Sequence, residues 1–162
     1  SSTITWAGGS ESFDAVLQTS TASLQLVGLG PMDRPAFVIT HGPDGITFEN
    51  RSGRELPFDP AYMIADVQRA FFPWTAPPTD GFEGARTFER LDVAIAETWE
   101  NGRLTRRTFE RADAAERGTV VVDYADWGEG DAPATVTIDN AWFGYRLVVR
   151  TLQQQRSPPS PP

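Results

Sequence analysis

His41 is the single histidine of this 162-residue chain, and Asp44 follows it in the same turn. An imidazole beside a carboxylate is the pair that activates a nucleophile in many hydrolases. Here no Gly-x-Ser-x-Gly elbow accompanies it and no Cys is available as a nucleophile. One His and no Cys leave only carboxylates as metal ligands. Asp123, Asp126, Glu129 and Asp131 gather around Tyr124 and Trp127, and such oxygen ligands suit Ca²⁺. Their spacing does not follow the EF-hand loop, so the cluster reads as a solvated acidic loop. Gly28-Leu29-Gly30 lacks the third glycine and the following helix of a dinucleotide site. Glu83, Glu89 and Glu97 show no spacing that singles out an acid–base pair. The expectation is no cofactor and no metal.

Composition narrows the partners. The net charge is -8, whereas phosphate binding needs a positive footprint, so nucleic acid is excluded as the main partner. An anionic bilayer would repel the molecule as a whole. All 14 basic residues are Arg, a composition bias rather than a motif. At 40% hydrophobic residues the chain can bury one good core. No apolar run is long enough to span a membrane. Residues 1–10 are small and polar, with Gly8-Gly9, and read as a flexible leader after a removed lipoprotein signal. The domain is expected over 11–152, and 153–162 as a proline-rich disordered tail.

Between the ends, period-2 alternation dominates. Strands are expected over 12–18, 21–29, 36–40, 46–50, 87–99, 103–111, 119–124, 134–139 and 144–152. Asn101-Gly102 signals a type I′ hairpin. Short connections between alternating strands predict a meandering antiparallel sheet with one buried face. One helix opens at Asp59-Pro60, where Asp59 can cap and Pro60 loses no needed donor. Ile64, Val67 and Phe71 recur at helical spacing with Met63, Ala70 and Trp74 beside them. Asp66, Gln68 and Arg69 form the expected polar face, and Pro73 stops the helix. The fold class is mainly β with a helical cover (α+β). Such a sheet must curl to bury its apolar face, and a curled sheet either fills its interior or leaves a ligand cavity.

Several segments resemble the LolA/LolB superfamily of bacterial lipoprotein carriers. They are Leu26-Val27-Gly28-Leu29-Gly30-Pro31-Met32, Phe37-Val38-Ile39-Thr40, Gly45-Ile46-Thr47-Phe48, Leu56 to Gln68, and the closing Gly144-Tyr145 strand. The likeness is closest to the LolB-like lipoproteins encoded in aryl polyene biosynthetic gene clusters, and it is stronger in the first half of the chain. It implies a half-open β-barrel with helices covering an apolar cavity. It also implies a lipid-anchored protein facing the periplasm from the outer membrane, with the acylated Cys just before the present N-terminus. Acyl-chain binding is implied as well. Met32 matches the apolar residue on the protruding loop with which LolB delivers lipoprotein cargo to the membrane. The same stiff tip, with Pro31 and Pro35, is hard to bury, so Met32 is expected at the surface.

The resulting expectation is a non-enzymatic carrier or chaperone of a lipid, acyl chain or lipoprotein. Its cavity would be bounded by Phe37, Ile39, Phe48, Met63, Ile64, Val67, Phe71, Leu91, Val93 and Ile95, with Met32 touching membrane or cargo. The alternative is an accessory enzyme acting on an acyl substrate through His41 and a neighbouring carboxylate.

Overall fold

The computed structural model describes residues 1–20, 23–53, 59–111, 118–128 and 132–152. Among these, the strands are β1 (Ser2–Trp6), β2 (Gly9–Thr19), β3 (Leu24–Leu29), β4 (Pro35–Gly42), β5 (Gly45–Asn50), β6 (Gly84–Arg90), β7 (Val93–Glu100), β8 (Arg103–Arg111), β9 (Val120–Trp127), β10 (Pro133–Asn140) and β11 (Tyr145–Arg150). One helix, α1 (Pro60–Phe71), lies between β5 and β6. All strands join in a single open, curled sheet of order β5-β4-β3-β2-β1-β11-β10-β9-β8-β7-β6. Every pairing is antiparallel. The expected class, a mainly β curved antiparallel sheet with a helical cover, is what forms.

Alternation does the sorting. Val120, Val122 and Tyr124 of β9 and Val136, Ile138 and Asn140 of β10 are buried, while the residues between them are more exposed. All of these but Asn140 join Ile4, Ile95, Leu104, Phe109 and Leu147 in the larger apolar core. A second core brings Leu24, Leu26, Phe37 and Ile39 of β3 and β4 against Met63, Ile64 and Val67 of α1. The helix therefore lies across the buried face and contributes to both cores, with Ala70 in the larger one. Its ends form as its residues dictate. Asp59 accepts from the backbone N–H of Ala61 at 2.8 Å, Pro60 opens the first turn, and Phe72 ahead of Pro73 turns extended.

One glycine is fixed by close approach. Gly28 pairs across the sheet with Phe37, whose ring fills the space a side chain at Gly28 would need. A Cβ at Gly28 would sit 2.1 Å from Phe37 Cε1, so only glycine fits beneath that ring.

Two expectations are corrected here. Residues 1–10 are not a flexible leader: Ser2–Trp6 is a strand hydrogen-bonded on both sides, to β11 and to β2, with Ile4 2% exposed. Thr3 and Thr5 alternate with Ser2 and Ile4, and β-branched residues suit a pleated surface. The expected strand over 87–99 is in fact a hairpin, β6 and β7, turning at Leu91-Asp92. Both turn residues take the left-handed conformation (φ 51° and 60°) that two-residue hairpins demand. Arg90 pairs with Val93. The period of two therefore runs through the turn unbroken in sequence, which hides it.

Candidate functional site

The apolar face is not completely filled. An open cleft of about 2150 Å³ runs beside α1, larger than the roughly 300–1,000 Å³ that holds a drug-sized ligand. Its walls come from Phe13, Ala15 and Leu17 of β2, Leu26 of β3, Met63, Val67, Ala70 and Phe71 of α1, Leu104 of β8, and Leu147 and Val149 of β11. Trp99, Tyr124 and Trp127 add aromatic surface, and the segment after the helix contributes Phe72, Pro73 and Pro77. Leu29, just before the Pro31–Asp33 tip, and Asp33 at its end reach the same cleft.

Buried polar groups fasten the helix that forms one wall. Asp66 is fully buried. Its carboxylate accepts from Arg69 Nη1 at 2.6 Å, from Asn140 Nδ2 at 2.9 Å and, closely, from the Tyr145 hydroxyl. Burial, and then the Asp66 charge beside it, push the Tyr145 phenol well above its ordinary pKa, so it stays protonated as a donor. Arg69 also lies over the Trp142 ring at 4.8 Å.

A second network holds the other end of the helix. Glu97, also buried, accepts from Arg86 Nη2 at 2.6 Å, Arg107 Nη2 at 2.7 Å and Trp99 Nε1 at 3.2 Å. Arg107 Nη1 then donates to the carbonyls of Arg69 (2.7 Å) and Phe72 (3.2 Å), which the helix end leaves without internal partners. The Tyr124 hydroxyl donates to the Ala70 carbonyl at 2.8 Å, and burial raises its pKa. The helix wall is thus set by directional bonds to β7 through β11 as well as by packing.

The sequence-predicted residues divide by location. Met63, Val67 and Phe71 line the cleft. Phe37, Ile39, Ile64 and Ile95 are buried within the packed cores instead. Val93 packs at the margin of the larger core. Phe48 lies on β5, an edge strand exposed along its length. Leu91 does not face the interior: it sits at the β6–β7 turn and is 88% exposed. Its parity with Val93 and Ile95 misplaced it, because the chain reverses between them. Met32 stands out at the tip, 79% exposed, in a left-handed conformation with φ 59°.

Among the described residues His41 forms no pair with a carboxylate. Its Nδ1 lies 2.7 Å from Gln68 Nε2 on the helix, so the imidazole is a tether between β4 and α1. Of the acidic cluster, Asp123 pairs with Arg106 and Asp126 accepts from Thr135. Glu129 and Asp131 lie outside the described residues, as do Leu56, Pro57 and Phe58 of the quoted helix motif and the 153–162 tail.

The sequence places one of the two central carboxylates on the wrong face and leaves the other unplaced. Asp66 was assigned to the polar face of the helix, yet it sits three residues after Met63 and four before Ala70, inside the buried stripe. Glu97 follows Val93 and Ile95 at period two, on the buried face of β7. Position was the available signal in both cases.

The chain matches over residues 1–153 the family described as protein of unknown function DUF3261, and it belongs to that family. No curated protein matches it.

Proposed function

We propose that this DUF3261 member is a non-enzymatic carrier that shelters an acyl chain, free or as part of a lipid or lipoprotein, in the cleft between α1 and the curled sheet. The single observation behind this reading is the cleft itself, about 2150 Å³ of space walled by Leu26, Met63, Val67, Leu104 and Leu147. These apolar walls are flanked by a polar rim that includes Gln18, Thr19, Ser23 and Gln25, and an open cleft of mixed lining suits an amphiphile. The likeness to LolB-type carriers points the same way. It adds a half-open barrel, a periplasmic face of the outer membrane as the location, and lipoprotein or aryl polyene lipid as cargo. In this reading Met32 touches membrane or cargo, since the tip that carries it adjoins the cleft through Leu29 and Asp33.

The test is lipid retained by the purified protein, read by native mass spectrometry, together with binding of a fluorescent acyl probe. Phe71→Glu and Val67→Asp should both weaken the probe. Phe71 is partly exposed at the cleft, so its variant should keep the fold. Val67→Asp buries a carboxylate among apolar groups, at a cost of several kcal/mol or forced protonation. Undiminished probe binding in a folded Phe71→Glu protein would overturn the carrier reading.

A further inference from the structure

The cleft has one corner whose chemistry differs from the rest. It is formed by the β7–β8 turn and the end of β9. Arg103, the first residue of β8, lines the cleft there and is exposed. Its guanidinium donates to the carbonyls of Trp127 (3.4 Å) and Gly128 (3.1 Å) and lies 5.7 Å from the Trp127 ring centre. These contacts aim the cation without neutralising it. Among the described residues no carboxylate pairs with Arg103, although Asp14, Asp33 and Asp80 also line the cleft. Deeper on the same strand, Arg107 is consumed by Glu97 and the helix carbonyls. The third lining arginine, Arg150 on β11, has no comparable carbonyl frame among the described residues.

A second observation falls on the same corner. The indole N–H of Trp127 is buried and has no acceptor among the described residues. Buried donors are normally satisfied, and this orphan N–H lies beside a cation that no described carboxylate neutralises, so an oxygen acceptor that carries charge would satisfy both once the indole turns toward the cleft. In a chain of net charge -8 such a corner does not arise from a general excess of base.

We propose that Arg103 and Trp127 bind the anionic head of an amphiphile whose chain occupies the apolar cleft; this rests on the carrier reading. The shared chemistry is an oxyanion on an aliphatic tail, either a carboxylate or a phosphate monoester. The planar guanidinium fork keeps N–H groups free after its two carbonyl bonds and suits either head. The apolar walls lower the local dielectric and strengthen the charge pairing.

The experiment displaces Nile red, an uncharged probe, with dodecanoic acid, dodecyl phosphate and dodecanol at mildly alkaline pH. At least one of the two anions should compete about tenfold better than the alcohol, the scale of a charge-assisted hydrogen bond. Arg103→Gln should abolish that preference while leaving dodecanol unchanged. Trp127→Phe should weaken the anions alone, and Arg150→Gln should leave the preference intact. The anion that competes better identifies the source: phosphate means a lipid phosphate, carboxylate a free fatty acid. Equal competition by all three, or a preference that survives Arg103→Gln, overturns the head-group site and leaves the carrier standing. Failure of all three to displace bound Nile red overturns the carrier reading itself.

Discussion

Asp66→Ala is the sharpest test of how the helix is held. The wild-type carboxylate is wholly buried and satisfies three donors, on Arg69, Asn140 and Tyr145. Removing it takes the main acceptor from all three and leaves the Asn140 amide only a long 3.4 Å bond to the Tyr145 hydroxyl. The Asn140 amide has no route to water, being 1% exposed, whereas the Arg69 side chain is 16% exposed and can swing outward. Breaking a buried ion pair costs about 3–5 kcal/mol, and the mobile arginine places the loss toward the lower end. A protein of this size loses roughly 2–4 °C of Tm per kcal/mol, so a fall of about 6–16 °C is expected in a far-UV circular dichroism melt. Urea titration gives the free energy directly. The double variant with Asn140→Ala should cost less than the sum of the two singles, with a coupling of roughly 0.5–3 kcal/mol. A loss below about 1 kcal/mol, or strict additivity, would refute the idea that this network fastens the helix.

Three further outcomes are expected. Gly28→Ala drives a methyl into the Phe37 ring and should destabilise by about 1–3 kcal/mol in urea, with partial recovery when Phe37→Leu is added; no loss would mean the strands part freely there. Tyr145 has a folded pKa raised above its ordinary value near 10, so its contribution is full below about pH 10 and is lost as pH rises further. Tyr145→Phe should therefore be less stable at neutral pH and fall less steeply under alkaline conditions, and equal alkaline slopes would contradict the assignment. Met32→Glu alters a side chain that is 79% exposed, so stability should stay within about 0.5 kcal/mol while liposome association or cargo delivery weakens; a large drop in Tm would show that the tip is structural.

Sheet and helix were largely legible because their signals are local. Alternation in β8 and β10, the Asn101-Gly102 turn, and the Asp59-Pro60 opening all depend on neighbours in sequence. What escaped depends on distant partners. Ser2–Trp6 looks like a polar leader until β11 lies beside it. Leu91-Asp92 turns without Gly or Asn-Gly, so its left-handed backbone leaves no compositional mark. Asp66 reads as solvated because acidic side chains normally are, and Glu97 carries no spacing that marks it out. Asn140 and Tyr145 from β10 and β11, with Arg69, make the burial of Asp66 tolerable, and Arg86 from β6 and Arg107 from β8 do the same for Glu97. The cleft was anticipated through the helix residues Met63, Val67 and Phe71. Its opposite wall, from β2, β8 and β11, was missed because no pattern along one strand reports an unfilled space.

The junction of β1 with β11 has a consequence for how the molecule is made. All other neighbouring strands in the sheet are successive in the chain, so each can zip from an adjacent turn soon after it is synthesised. Only this seam joins the first strand to the last. Closing the longest loop carries the largest entropic toll, and contacts distant in sequence form slowly. During translation β1 emerges before the other described strands, and its edge facing β11 must wait until β11 itself has left the ribosome. The two meanders, β1 to β5 and β6 to β11, are therefore the natural early units of folding. Their docking along the β1–β11 seam is the natural last step, and an unpaired β1 edge is the surface that a nascent chain most needs to have shielded from aggregation.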